Sequence, residues 1–357
     1  MLLDKVTICV PCYNSESTIA ATLDSLLTQS SKNLEIIVSD NHSTDKTIKI
    51  VREYFEKGVK LVTCPKLPSK TGSILDNCYS AIQNWNSLIE LSNSKYIGIF
   101  HSDDIYSENI ISRQLEIFQE NQECSAVFSN LQYIKQNDKL SPSLMRKKVV
   151  HKNKDYLYLN QPQLVDLLLS KCHFFSSSGV LLNRELWRKA GNFDAVSWGH
   201  QVDTEFWIRI CQFGPVAIIK QPLVFHRIHK NQETYKWKKV YEFEFLPFIR
   251  LLDYYIYDKG FKRLVNPDSL AKFECFRNKE IMRISRNYLL KKDINSVINI
   301  VSNNKNIIEV TFFYDFFNNG KKYALKKITF NCLFHFLKNG KCSLFNILLI
   351  QLFDSLD

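Results

Sequence analysis

A chain of 357 residues, 45% hydrophobic and 23% charged, has the composition of a soluble globular protein built as one large core with an appendage, or as two domains. No apolar run reaches the ~20 residues of a membrane-spanning helix, and Met1-Leu2-Leu3-Asp4-Lys5 lacks the apolar stretch of a signal peptide, so a cytoplasmic protein is expected, at most peripheral at the inner face of the membrane. The formal charge of +11 is unevenly spread: residues 235–357 carry 21 Lys plus Arg against 12 Asp plus Glu, a basic excess that suits anionic lipid or an acidic partner better than nucleic acid, for which no recognised module is present.

Residues 5–10 alternate polar and branched side chains and read as a strand ending at Pro11, where a ladder donor is lost. Within it, Cys9-Val10-Pro11-Cys12 has the spacing of a thioredoxin-like redox site, but Tyr13-Asn14-Ser15 reads as a loop and no second Cys or His pair stands at zinc spacing. Ten cysteines without an export signal are expected to be reduced thiols. Ser15 or Ser17 is placed to cap a helix with the apolar stripe Ile19, Leu23, Leu26 and Leu27. Residues 34–38 form a second strand that stops in an acid, Asp40, and the loop Asn41-His42-Ser43-Thr44-Asp45 leads to a helix with Ile48 and Val51 on one face. A third strand spans 59–63, and beyond Lys70-Thr71-Gly72 a helix runs through Leu75, Tyr79 and Ile82. The apolar run ending in Phe100 suits a buried strand and gives way to two adjacent carboxylates, Asp103 and Asp104. This alternation predicts an α/β fold with a mostly parallel sheet.

Open α/β sheets bind ligands outside the carboxyl ends of their strands. Acids at the ends of two strands, Asp40 and Asp103, would repel each other there without a cation or a donor-rich ligand. Hard carboxylate oxygens match Mg²⁺ or Mn²⁺, usually with a phosphate. The plainer reading has Asp103 cap a helix starting near Ser107 and Asp104 face water.

Seven segments follow one another in a familiar order: Val10-Pro11-Cys12-Tyr13-Asn14-Ser15-Glu16; Val38 to Asp45; Gly72 with Asn77; Phe100-His101-Ser102-Asp103-Asp104; Ser178-Gly179-Val180-Leu181 with Ala190-Gly191-Asn192-Phe193-Asp194; Asp203-Thr204-Glu205-Phe206-Trp207-Ile208-Arg209; and Leu223 to His229. Over residues 4–234 the chain resembles the family 2 glycosyltransferases of the GT-A fold. The resemblance implies a catalytic domain over 1–234, with a nucleotide-sugar-binding half at 1–104 and an acceptor-binding half at 105–234. It implies a UDP-sugar donor, Mn²⁺ or Mg²⁺, a glycan or lipid-linked acceptor, and hexosyl or N-acetylhexosaminyl transfer in cell-envelope polysaccharide synthesis.

In that frame Tyr13 is suited to stack on uracil, Asp40 to accept its ring N–H and Glu16 to accept ribose hydroxyls. Pro11, Gly72, Asn77 and Ser102 complete the nucleotide site. Asp103 resembles the family's metal-binding acid, His229 a further metal ligand closing over the diphosphate, and Arg227 a phosphate partner. Asp203 matches the general base of inverting members, although Asp203 and Glu205 would equally suit a helix N-terminus. Ser178, Gly179, Trp198 and Asp104 are acceptor-side candidates, while Trp207 is expected in the core. Three departures stand out: His101 replaces a common acid, Asp76 replaces a common basic residue before Asn77, and the segment 82–94 is long, as for a helical excursion shaping the donor pocket.

Residues 112–120 read as a helix, 126–128 as a strand, 164–169 as a helix, and the basic stretch 135–155 as a solvated loop or a lid. Beyond residue 235 the pattern is helical throughout, with Phe245, Phe248, Leu252 and Ile256 on one face and Leu270, Phe273, Phe276, Ile281 and Ile284 on another. Residues 323–337 and 344–353 are rich in Leu, Ile and Phe. This basic, aromatic-rich region, 235–357, is read as a bundle packed on the catalytic domain or on a second copy, with membrane-surface contact near its end as the alternative. Two other functions stay open: a nucleotidyltransferase, which would normally carry a Gly-rich phosphate loop where Pro11-Cys12-Tyr13-Asn14-Ser15 stands, and a non-catalytic nucleotide-sugar-binding protein.

Overall fold

The strand β1 (Val6–Cys12) is buried almost end to end, and the sheet grows outward from it. Val6, Ile8 and Val10 face a core that includes Ile19, Leu23 and Leu26 of α1 (Ile19–Leu27), while Thr7 and Cys9 are buried on the opposite face. A strand covered on both faces needs such a continuous apolar run. The computed structural model describes residues 4–65, 74–136, 138–140, 155–171, 176–229, 232, 247–291, 293 and 296. Gly72, the side chains of Asp76 and Asn77, most of the basic stretch 135–155, Phe245 and the apolar segments beyond 300 lie outside these residues.

On one side of β1 lie β2 (Leu34–Asp40) and β3 (Lys60–Thr63), and on the other β4 (Tyr96–Ile99), all parallel. The helices between them are α1, α2 (Thr47–Arg52) and α3 (Ile74–Leu91). Past β4 the pairing becomes mixed. The short β5 (Ile105–Tyr106) precedes α4 (Ile110–Glu120), β6 (Ala126–Lys135), β7 (Tyr156–Leu159) and α5 (Gln161–Lys171). Then come β8 (Val180–Asn183), α6 (Arg184–Ala190), α7 (Ala195–Trp198), α8 (Val202–Ile210) and the long β9 (Val216–Ile228). β8 is antiparallel to both β4 and β6, β6 and β9 are parallel, and β5 and β7 are antiparallel to β9. The sheet order is β3-β2-β1-β4-β8-β6-β9-β5, with β7 also on β9.

Several boundaries differ from the sequence reading, each for a local reason. β1 runs through Pro11 to Cys12, because its ladder with β4 ends at Cys9 while its ladder with β2 continues to Cys12. Cys9 O accepts Phe100 N–H on the β4 side, so the missing N–H of Pro11, two residues on, faces the side where pairing has stopped. α1 is preceded by Thr18 rather than capped by Ser15 or Ser17, and the Thr18 hydroxyl donates to Ser102 O at 3.0 Å. The long segment before β4 is simply the continuation of α3 to Leu91. β5 and β7 escape a sequence reading because strands of two and four residues carry too few alternations to register.

By internal contacts the chain divides into two units, residues 1–232 with 251–270, and residues 233–250 with 271–357. The first contains the whole sheet. The second contains the greater part of the helix α10 (Pro267–Leu290), where Phe273, Ile281 and Ile284 are buried. The helix α9 (Pro247–Asp253) precedes it, with Phe248 and Leu252 buried. Among the described residues no helix is long and apolar enough to cross a membrane. Cys9 and Cys12 are free thiols and, an odd number of residues apart on one strand, point to opposite faces. Burial pushes both thiols well above the ordinary range, which disfavours the thiolate that redox or metal chemistry would use.

At the edge of the parallel half, Glu35 is held by Lys60 at 2.6 Å and Lys5 at 3.0 Å. The Lys60 hydrogen bond, aided by Lys5 and opposed by partial burial, lowers its pKa from 4.5 to about 2. A depressed carboxylate contributes stability above its unfolded pKa and loses it as pH falls toward the folded one. Glu35→Gln should therefore lower the thermal midpoint by about 1–3 °C at pH 7. The gap should close as the pH falls from 4.5 toward 2, as measured by unfolding scans across that range.

Candidate active site

The carboxyl ends of β1, β2 and β4 meet in three loops that are laced together. The loops after β1 and β2 are joined by Asn14 N–H to Ser43 Oγ (2.9 Å), Thr44 N–H to Asn14 Oδ1 (2.8 Å), Ser15 N–H to Thr47 Oγ1 (2.7 Å) and Lys46 N–H to Glu16 Oε2 (2.9 Å). Asn14 and His42 adopt positive φ, +47° and +61°, to make these turns. The loop after β4 is tied in by the Ser15–Ser102 hydroxyl pair at 2.8 Å, by Thr18, and by Thr22 Oγ1 donating to Asp104 O at 2.8 Å.

The residues singled out from sequence fall around this junction. Tyr13 stands 55% exposed, with its ring open to solvent. Pro11 is half-buried, and Glu16 is exposed with one carboxylate oxygen on Lys46 N–H. Asp40 is buried: Oδ2 accepts Ser43 N–H at 3.0 Å and, among the described residues, Oδ1 meets only the thiol of Cys12, at 3.8 Å. Ser102 is buried and spends its hydroxyl on Ser15.

Asp103 and Asp104 have opposite surroundings. Asp103 is half-buried and its Oδ2 lies 3.0 Å from Nε2 of His229. Asp104 is 0% exposed, and both of its oxygens are occupied. Oδ1 accepts Arg227 N–H at 2.9 Å; Oδ2 accepts Ser178 Oγ–H at 2.5 Å and Nδ1 of His226 at 3.1 Å. Burial would raise the pKa of Asp104, but His226, His101 and Ser178 outweigh it and hold the carboxyl below its ordinary value. Because an ionised carboxylate only accepts, the proton of His226 sits on Nδ1.

Three sequence expectations are corrected by this geometry. Asp104 and Ser178 do not face an acceptor: they bond each other in the interior, where Ser178 also meets Tyr106 Oη at 2.8 Å. Gly179 serves the backbone, with φ +73° and a position where a Cβ would lie 2.7 Å from Val224 Cγ2. Arg227 is buried, and its guanidinium is taken by Asp103 O, Gln136 O and Asp138 Oδ1 rather than left for a phosphate.

The donor set suits a divalent cation. One ligand atom each of His101, Asp103 and Asp104 lies within 4.8 Å of the others, although the oxygens of Asp104 are already occupied. His229 Nε2 adjoins Asp103, and the buried Nε2 of His101, whose ring lies 5.4 Å from that of Trp85, has no hydrogen-bond partner among the described residues. Carboxylate oxygen with imidazole nitrogen fits Mn²⁺ better than Mg²⁺.

Asp203 stands in the first turn of α8, half-buried. Oδ1 accepts Thr204 N–H at 2.6 Å and Oδ2 accepts Ser177 Oγ–H at 3.0 Å. Trp207 is fully buried and Trp198 is half-buried, 5.1 Å from the ring of Tyr254. Nearby, Glu205 pairs with Arg209, whose guanidinium also binds Ala190 O and Asn192 O. Asn86 of α3 grips Phe193 by both its N–H and its C=O, each at 3.0 Å. The sequence reading missed Ser177, Tyr106, His226 and Asn86; only the run Ser176-Ser177-Ser178-Gly179 hinted at the first.

The profile described as "Glycosyl transferase family 2" matches residues 7–191. The Escherichia coli protein described as "UDP-Glc:alpha-D-GlcNAc-diphosphoundecaprenol beta-1,3-glucosyltransferase WfgD" is 24% identical over 237 residues, 66% of this chain and 81% of that protein. Among solved structures, S. aureus TarS superposes with a TM-score of 0.54 at 15% identity, covering 86% of this chain and 50% of TarS. The mannosyltransferase PcManGT from Pyrobaculum calidifontis, solved with GDP-Man and Mn2+, gives 0.51 at 14% identity, covering 92% of this chain and 87% of that one. The architecture is the GT-A fold.

Asp104→Ala would strand two buried donors, Arg227 N–H and Ser178 Oγ–H, and the half-buried His226 imidazole. It should lower the thermal midpoint by roughly 5–12 °C, as read by calorimetric scanning, whereas a solvent-facing Asp104 would leave it unmoved.

Proposed function

The chain belongs to glycosyl transferase family 2 and is a glycosyltransferase, and from that premise we propose that it moves a hexose or N-acetylhexosamine from a UDP-sugar to a hydroxyl of a glycan or lipid-linked acceptor, with inversion. The observation that carries this reading is the pairing of the half-buried Asp103 with His229 in the loop after β4, the loop that Ser102 ties to the one carrying the exposed Tyr13. WfgD, whose name specifies a UDP-glucose donor and a lipid-diphosphate acceptor, supports the same donor class and a role in envelope polysaccharide synthesis.

Uracil would stack on Tyr13, with Asp40 Oδ1, which has no nitrogen or oxygen donor among the described residues, accepting its ring N–H. Glu16 has one carboxylate oxygen without a hydrogen-bond donor among the described residues, suited to ribose hydroxyls. Pro11 and Ser102 shape the same nucleotide site, in which Gly72 and Asn77 would join them. Asp103 and His229 would hold a divalent ion, with His101 beside them, and that ion would offset the charge developing on the departing diphosphate. Asp203 would take the proton of the acceptor hydroxyl as its oxygen attacks the anomeric carbon from the face opposite UDP. A single displacement converts an α-linked donor into a β-linked product, with Trp198 as a platform for the acceptor sugar. Residues 1–234 would form the catalytic domain, donor half 1–104 and acceptor half 105–234. The basic region 235–357 would meet an anionic membrane surface carrying the acceptor.

Titration calorimetry with UDP should show binding that requires Mn²⁺, and His229→Ala should weaken it roughly tenfold or more. Binding indifferent to Mn²⁺ would remove the metal from this account. Asp203→Asn should keep UDP affinity while losing about 10²–10⁴ in turnover, measured by UDP release from UDP-glucose, UDP-galactose, UDP-GlcNAc and UDP-GalNAc with a GlcNAc-diphosphate lipid. Turnover at the wild-type rate rejects Asp203 as the base.

A further inference from the structure

We infer that Ser177 is a positioning residue: its hydroxyl fixes the plane of the Asp203 carboxylate so that an oxygen lone pair meets the acceptor hydroxyl. This rests on the reading of Asp203 as the base.

The direction of every bond in the chain follows from the donors alone. Trp207 Nε1–H can only donate, and it lies 3.0 Å from Ser177 Oγ. Ser177 therefore accepts there, and its single proton goes to Asp203 Oδ2, 3.0 Å away. The other oxygen, Oδ1, is held by the N–H of the next residue, Thr204, at 2.6 Å, and by the Thr204 hydroxyl at 3.3 Å. Those two bonds come from the adjacent residue and leave the carboxylate able to turn. Among the described residues, Ser177 gives the one hydrogen bond that ties the Asp203 carboxylate to an element outside α8.

The support behind it is rigid. Trp207 is fully buried, packed edge-on against Phe128 at 5.0 Å and Phe193 at 5.5 Å, and Ser177 is 4% exposed. In such a setting a hydrogen bond is stronger and the hydroxyl has no water to turn to. Two residues on, Gly179 N–H donates to Ile99 O at 2.8 Å, so the turn carrying Ser177 is anchored to the end of β4. The next hydroxyl, that of Ser178, bonds Asp104, the neighbour of Asp103. Two successive serines thus address two carboxylates, the base itself and the neighbour of the metal-loop acid, and set their separation.

The test uses the full chain with Ser177→Ala, Ser177→Thr and Asp203→Asn, and whichever of the four UDP-sugars turns over with the GlcNAc-diphosphate lipid. S177A is expected to lose roughly 10- to 100-fold in kcat while KM for the donor and UDP affinity with Mn²⁺ stay within about twofold. S177T keeps the O–H and should recover most of the rate. A crystal structure of S177A should show the Asp203 carboxylate turned about Cβ–Cγ. Wild-type kcat in S177A beside an inactive D203N overturns the positioning role and leaves the base assignment standing. A D203N variant that turns over normally removes the base, and this inference with it. Equal losses of kcat and UDP affinity that threonine does not repair overturn it as well, since they mark a merely structural serine. Should S177A fail to fold, Trp207→Phe, which frees the Ser177 proton from its orientation, should lower kcat at unchanged KM, and an unchanged kcat overturns the inference.

Discussion

A carboxylate removed entirely from water costs several kcal/mol unless its lone pairs are filled, and Asp104 is in that position with both oxygens filled. Its partners come from Ser178 ahead of β8 and from His226 and Arg227 at the end of β9, more than 70 residues further along the chain. Thr22 of α1 holds its carbonyl from the other side. The loop after β4 is therefore bolted to the parallel and the mixed halves of the sheet at once. Asp103, one residue earlier, inherits that rigidity while its own carboxylate remains half-exposed beside His229.

Arg227 acts on the same loop. Its side chain reaches across to Asp103 O and is closed in by Gln136 and Asp138 from the end of β6. A guanidinium with five donors can satisfy several acceptors from one position, and here it fastens the segment carrying His229. The pairing of Asp103 with His229 thus depends on a buried cation that itself faces no ligand.

The surroundings of Asp203 are built by comparable means. α3 runs to Leu91, which places Asn86 where it captures Phe193 from both sides. Arg209, held by the buried Glu205, takes the carbonyls of Ala190 and Asn192. Together they fix the turn before α7, and Phe193 in turn packs on Trp207, the residue that orients Ser177. Polar groups buried in this way are worth most when every donor finds an acceptor, since a half-satisfied network is costly.

The sequence by itself determined the parallel half of the sheet, the order of the motifs and the chemistry gathered at the strand ends. Apolar strands such as Val6–Cys12, the helices beside them and the acids that end them are written in consecutive residues, where periodicity and residue type suffice. Tertiary structure alone decided which acid stays half-exposed and which is a buried strut. Asp103 and Asp104 are neighbours of one residue type, and only the arrival of Arg227, His226 and Ser178 from distant segments separates their roles. The same holds for Arg227, whose partners at Asp103, Gln136 and Asp138 cannot be inferred from spacing. Burial and hydrogen bonding are properties of what folds over a residue, and nothing within a few positions of Asp104 records what does.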